Sequence, residues 1–411
     1  MVAIRPFCAL RYNPERIPEL SQVIAPPYDV ISPEEQDRLY RRSPYNVVRL
    51  ILGKQQPADT DADNRYSRAR QEFDGWRRDA ILRQDPRPAV YLVEQTFEAD
   101  GRTQIRLGFI ALLAFEAATE GRVFRHEATL AAPKADRTKL LEAVPACLEP
   151  IFCVVPDEGG AIQAMLRRWT QAAPTVQTIW EKHPLRLWAV TEPRAIEQLT
   201  ERVASAAVLI ADGHHRFEVA YAHRDRYPAL MSYFASMADP ALVVRPIHRL
   251  VTGPAASVES LRGWCRVEPA GDLAGLIAWL QQAPEGTAGT TIRFGYYDGT
   301  GFFQITVSPE HVAQWLMAPP VPLAVATLDV SVLHGLLLPR LGVNGAGIRY
   351  VADAAHAIAA VGHGEAGAAW LLRGLPLAQV YALACRGMAL PPKSTYFIPK
   401  VPSGLTLHLF P

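Results

Sequence analysis

Ala207-Val208-Leu209-Ile210-Ala211-Asp212-Gly213-His214-His215-Arg216-Phe217-Glu218-Val219-Ala220 is the stretch on which the reading of this chain turns. Residues 207–211 are a short apolar run and predict a buried strand. The run from His214 towards Arg226 has helical composition, so Asp212-Gly213 must turn the chain from strand to helix. Glycine suits that place because it alone turns tightly without a side chain and lets a ligand approach the backbone. The first amides of the helix lack intrahelical acceptors, and the helix dipole adds positive potential there. His214, His215 and Arg216 add directed donors, and a guanidinium matches two phosphate oxygens at once. The pattern predicts a phosphate cradle at a helix N-terminus. Asp212 taken alone reads more readily as a helix N-cap than as a catalyst.

Outward from this turn the chain mixes strands and helices. Ser32-Pro33-Glu34-Glu35 has the layout of a helix start, with Ser32 as N-cap and Pro33 at the first helical position. Tyr66, Ala69, Phe73, Trp76 and Ile81 keep helical spacing. Residues 89–98 and 103–115 read as two strands joined through Asp100-Gly101. Residues 151–155 and 185–190 predict strands, and 162–172 and 193–204 predict helices. Beyond residue 250 the composition becomes richer in Ala and Gly, with strands expected at 291–297, 301–307 and 368–372. An α/β or α+β protein is expected, divided softly into residues 1–250 and 251–411, with no fixed-period repeat.

Composition narrows the function. The 411 residues carry 42 Lys+Arg against 41 Asp+Glu, a net charge of +1. That balance argues against nucleic acid as a partner, because affinity for it rests mainly on phosphate neutralisation. With 49% hydrophobic and 20% charged residues the chain is of globular type. Its five scattered cysteines, without a C-x-x-C, argue against a disulfide framework or a zinc ribbon. Residues 321–339 are apolar but interrupted by Asp329 and His334, so they read as a buried helix and not a membrane span. The N-terminus lacks a signal-peptide layout, and a cytoplasmic location is expected. No G-x-S-x-G and no G-x-G-x-x-G after a strand is present, and neither haem nor flavin is expected. A homo-oligomer is left open.

Other segments offer site residues. His126-Glu127-Ala128-Thr129, followed by Lys134, Asp136, Arg137 and Lys139, is a dense polar stretch. Glu127 or Asp136 there could orient a hydroxyl or hold Mg²⁺, and a solvated charged loop is the plain alternative. Pro26-Pro27 fixes a stiff turn that presents Tyr28 and Asp29, either to a pocket or at a mere corner. Asn46 and Arg49 follow within reach of the same cleft. Late in the chain, Lys393-Ser394-Thr395 and Lys400 could line an anion site, or Lys393 could begin an edge strand. Pro391-Pro392 cannot supply cradling amides, so this is no P-loop. His248-Arg249 reads as a ligand contact or a strand end.

These segments carry a resemblance. The whole chain resembles a bacterial and archaeal family known only as domain of unknown function 1015. It matches through Arg5-Pro6-Phe7, Ala25-Pro26-Pro27-Tyr28-Asp29-Val30, Tyr45-Asn46-Val47-Val48-Arg49, His126-Glu127-Ala128-Thr129, Asp136-Arg137, Asp212 to Arg216, His248-Arg249, and Pro392-Lys393-Ser394-Thr395 through Lys400. The Asp-Gly-His-His-Arg turn is similar to that of the ParB/sulfiredoxin-like superfamily, most of all its free-serine kinases. The resemblance implies a ParB/sulfiredoxin-like nucleotide-binding core with a second, α+β domain behind it. It also implies an ATP- or ADP-dependent, Mg²⁺-assisted phosphotransferase for a small hydroxyl metabolite such as free serine. By that resemblance Gly213, His214, His215 and Arg216 would hold phosphate and Asp212 would be base or magnesium ligand, while the kinases' separate catalytic glutamate has no match in this chain. From their own segments, Arg137, Lys393, Ser394 and Thr395 are further phosphate-site candidates, and Glu127 and His215 further catalytic ones. A ParB-like nucleotide switch without kinase activity is the alternative.

Overall fold

The computed structural model describes residues 1–99, 101–116, 121–282 and 291–410. The chain folds as two compact units. The first comprises Met1–Arg125, Thr129–Val243 and Pro399–Pro411, and the second His126–Ala128 and Val244–Ile398. The division thus falls before residue 250, and the last residues return to the first unit. No local pattern announces that return.

A nine-stranded sheet carries the first unit. Its strands are β1 (Ile4–Arg5), β2 (Val90–Ala99), β3 (Arg102–Ala114), β4 (Val123–Arg125), β5 (Ile151–Val155), β6 (Val176–Trp180), β7 (His183–Val190), β8 (Val208–Asp212) and β9 (Ala229–Ser236). They lie in the order β4-β8-β5-β9-β3-β2-β7-β6, with β1 beside β3. β8 runs parallel to β4 and antiparallel to β5, and β9 runs parallel to β5, so the sheet is mixed. Strands β2 and β3 pair in the expected hairpin, down to Ala99 opposite Arg102. Asp100, named for its turn, lies outside the described residues. β6 escapes sequence reading because it is an edge strand with no buried residue.

The longer helices of this unit are α1 (Pro33–Arg42), α2 (Arg65–Arg78), α3 (Ala131–Ala143), α4 (Ala161–Trp169), α5 (Pro193–Ala204) and α6 (His214–Ala222). Ser32 caps α1, its Oγ accepting from Glu35 N at 3.2 Å. Ala69, Phe73 and Trp76 of α2 are buried in a core with Leu39, Ile81 and Leu140, as the helical spacing predicts. Within the sheet, Phe109 and Phe234 stack at 5.0 Å. On the opposite face Gly108 leaves room for the Tyr233 ring, and a Cβ there would stand 2.2 Å from it. Gly108→Ala is therefore expected to destabilise the unit by about 1–3 kcal/mol through overpacking, measured as a lowered denaturant midpoint.

The second unit holds a six-stranded antiparallel sheet of β10 (His248–Val251), β11 (Cys265–Ala270), β12 (Arg293–Tyr297), β13 (Phe302–Val307), β14 (Ile348–Val351) and β15 (Ala368–Leu371). The order is β11-β13-β12-β15-β10-β14. Helices α7 (Leu273–Gln281) and α8 (Ala354–Gly362) bury Leu276, Leu280, Ala357 and Val361 against Leu250 and Leu371. The helix expected within 321–339 is broken into short pieces, with a π-turn at Leu333–Leu337. The interruption falls at Leu328, whose backbone is extended, while Pro339, which donates no bond and crowds the turn before it, bears only on the π-turn. Among the described residues no helix is long and apolar enough to cross a membrane.

Candidate functional site

Strand β8 ends at Asp212, and α6 starts at His214. Gly213 between them has φ 89° and ψ 28°, a left-handed conformation that glycine adopts without a steric cost. It stands at the N-cap position, where no side chain caps the helix. Asp212 is thus the last residue of a strand and not a helix cap. A Cβ on Gly213 would lie 2.8 Å from Ile151 Cγ2 and 3.1 Å from Arg216 Nε and Nη2. The arginine therefore folds back over the turn. Its Nη1 donates to the Pro150 carbonyl at 2.6 Å and its Nη2 to Asp212 Oδ2 at 2.9 Å. Its buried Nε has no hydrogen-bond partner.

The other oxygen of Asp212 accepts from Lys400 Nζ. Burial pushes the Asp212 carboxyl up, but Lys400 and then Arg216 more than reverse this and hold it at about 2. Burial likewise opposes the charge on Arg216, and Glu149 and Asp212 overcome it and raise its pKa. The turn is therefore a charged Asp–Arg–Lys cluster, anionic at its aspartate throughout the physiological range.

Distant segments converge on this cluster. The Tyr28 ring lies 3.9 Å from the Arg137 guanidinium carbon and 6.0 Å from that of Arg216, and burial raises the Tyr28 pKa. Tyr28 N and Ser403 Oγ both donate to Glu149 Oε1, at 3.0 and 2.9 Å. Arg137 Nη1 stands 3.6 Å from Glu149 Oε2. Glu149 is only 5% exposed, and burial raises its pKa against the pull of Arg216 and Arg137. Sequence reading placed Tyr28, Arg137, Asp212, Arg216 and Lys400 among site residues, and the fold gathers them. It missed Glu149 and Ser403, which lie in unremarkable sequence.

Of the remaining candidates of this unit, His214 and His215 open α6 beside Asp212, and the others sit elsewhere or serve the frame. His214 is buried, and His215 Nε2 accepts from Leu130 N at 2.9 Å. Asp29 is exposed, and its charge reaches Arg216. Asn46 is fully buried, and its side chain bonds the backbone at Gln22, Ile24 and Val48. Arg49 lies over the Tyr40 ring at 4.5 Å. Asp136 accepts from Arg65, Tyr66 and Arg137, which orients Arg137.

A separate polar cluster belongs to the second unit. Lys393 adopts a left-handed backbone, φ 59°, and its N–H donates to Glu127 Oε1 at 2.6 Å. Ser394 Oγ donates to the Pro391 carbonyl at 2.6 Å, and Thr395 Oγ1 lies 2.8 Å from His126 Nε2. Both hydroxyls are thus engaged internally. Strand β10 opens with His248-Arg249, both buried, where a strand end was the plain expectation. Arg249 Nε donates to His334 Nε2 at 2.9 Å. Burial and the neighbouring guanidinium lower His248 and His334 to about 4, and burial lowers Arg249 to about 10. In the sequence His334 stands out only as an interruption of an apolar run. Asp212, His215 and Arg216 thus lie in the first unit, and Glu127 and Lys393 in the second. Among the described residues no three His, Cys, Asp or Glu side chains group as a metal site.

Residues 4–331 match the family model described as "Protein of unknown function (DUF1015)". The chain belongs to the DUF1015 family. No curated protein matches this family member. Among solved structures it is similar to a conserved hypothetical protein from Pyrococcus furiosus, at 14% identity and TM-score 0.35 over 70% of this chain and 92% of that one. It is also similar to a mutant free serine kinase in complex with ADP, at 14% identity and TM-score 0.36 over 67% and 84%. A third is SbnI from Staphylococcus aureus with a C-terminal truncation, at 10% identity and TM-score 0.37 over 73% and 87%. At these scores the likenesses decide neither the activity nor the site of this DUF1015 protein.

Proposed function

We propose that the first unit is a nucleotide-dependent phosphotransferase that acts on a small hydroxyl compound such as free serine. The observation that carries this reading is the ionised Asp212 held between Lys400 and Arg216 at the glycine-turned start of α6. The helix start offers amides to phosphate, and the two cations offset developing charge on the transferred group. In the reaction the acceptor oxygen forms a bond to the terminal phosphorus while the bridging P–O bond breaks. The electron pair leaves with the nucleotide, and the hydroxyl proton passes to a carboxylate or to water. Asp212, at about 2, is a poor proton store and suits orientation of the hydroxyl or a bond to a hard cation. A single carboxylate fits Mg²⁺, which is commonly bound through one or two carboxylates and the nucleotide's phosphates; it would supply countercharge.

A nucleotide-binding switch without turnover is the second reading. It is favoured by one observation: both oxygens of Asp212 already have cationic partners.

³¹P NMR of the full chain with ATP or ADP, Mg²⁺ and serine separates the two. A phosphomonoester signal supports transfer, saturable nucleotide binding without turnover supports the switch, and neither across a metabolite panel removes both. If Arg216 grips phosphate, Arg216→Ala is expected to weaken nucleotide binding by about 1.5–3 kcal/mol, read by calorimetry on a folded variant. Unchanged affinity would leave Arg216 only its role in bracing the turn.

A further inference from the structure

The first unit contains a cavity of about 70 Å³ beside the Arg216 cluster. Arg137, Glu149 and Arg216 line it together with apolar side chains that include Leu140, Leu230 and Phe410. One water needs roughly 10–15 Å³ of such space, so the cavity has room for about five non-hydrogen atoms.

Two lining groups have hydrogen-bonding capacity left over. Arg216 Nε is buried and makes no hydrogen bond, although the guanidinium's other nitrogens do. Glu149 Oε1 accepts two bonds, while the nearest cation to Oε2, Arg137 Nη1, stands off at 3.6 Å. Guanidinium only donates and ionised carboxylate only accepts, whereas a hydroxyl does both. A hydroxyl has both capacities, and the remaining walls ask for hydrocarbon.

We infer that this cavity binds a primary alcohol of about four carbons, with its hydroxyl at Glu149 and Arg216 and its chain against Leu140, Leu230 and Phe410. Free serine, with about seven non-hydrogen atoms, overfills a space for about five. The inference narrows the acceptor class of the proposed phosphotransferase and rests on that reading for the acceptor role, though not for binding.

The test is a methyl-resolved NMR titration of the full chain, without nucleotide, using ethanol, 1-propanol, 1-butanol, 1-pentanol, 1-hexanol and L-serine. Saturable shifts are expected at the Val219 and Leu230 methyls. Affinity should rise about fourfold per added methylene, as hydrocarbon burial dictates, and fall beyond about four carbons. Ala220→Leu, which fills the cavity, should weaken butanol at least tenfold, and Leu141→Ala should move the optimum to a longer chain. Absence of saturable binding, or an alcohol series indifferent to both substitutions, would overturn the inference and leave the cavity to water. Added Mg²⁺ and ATP, followed by ³¹P NMR, keep the two proposals apart. Alcohols that bind while neither they nor serine is phosphorylated would sink phosphotransfer alone. Phosphorylated serine without alcohol binding would sink this inference alone.

Discussion

Asp212→Asn is expected to abolish phosphotransfer and to cost about 3–5 kcal/mol of stability, the usual consequence of removing one partner from a buried charge cluster. The side chains of Arg216 and Lys400 are only 9% and 12% exposed, so the substitution leaves two largely buried cations without their carboxylate. Asparagine keeps the shape and can still accept a hydrogen bond, which isolates charge from geometry. Denaturant unfolding and ³¹P-detected turnover report the two effects separately. A variant as stable as the parent would show that the cluster contributes little, whatever the activity.

The same aspartate imposes a pH dependence of known sign. Its pKa lies near 2 in the fold against an ordinary 3.8. A lowered carboxylate pKa gives stability that is fully present above about pH 4 and drains away as pH falls towards 2. The amount is about 2 kcal/mol for that difference. In Asp212→Asn this acid-side slope should flatten, and an unchanged slope would assign it to other carboxylates.

Gly213→Ala is expected to destabilise the first unit by about 2–4 kcal/mol. A left-handed φ of 89° costs a residue with a Cβ about 1–2 kcal/mol, and the approach to Ile151 at 2.8 Å adds overpacking. The displaced Arg216 guanidinium would also loosen from Pro150 and Asp212, so nucleotide affinity should fall even in protein that remains folded. A near-neutral denaturant midpoint with intact binding would mean that the turn relaxes freely, and the positive φ would then carry no functional weight.

Much of this was legible in the sequence because its cause is local. An apolar run, a glycine and a helical run specify β8, the turn and α6 by short-range sterics and burial alone. The cap at Ser32 and the buried face of α2 are legible for the same reason. What local pattern does not reveal is convergence. Lys400 meets Asp212 across 188 residues, and Tyr28 meets Glu149 across 121. Only the return of the last residues to the first unit brings Lys400 and Ser403 there. Glu149 is marked by burial, a tertiary property, and nothing in Cys147-Leu148-Glu149-Pro150 signals it. Ser394 and Thr395 show the converse, since their composition suggests phosphate while their hydroxyls bond within their own unit.

The most direct test is to follow selectively ¹⁵N-labelled histidine, arginine and glycine amides while Mg²⁺–ADP is titrated into the full chain. The largest shifts are predicted at Gly213, His214, His215 and Arg216, saturating together with a single dissociation constant. Saturating nucleotide that moves amides elsewhere and leaves these four in place would contradict a phosphate site at the start of α6.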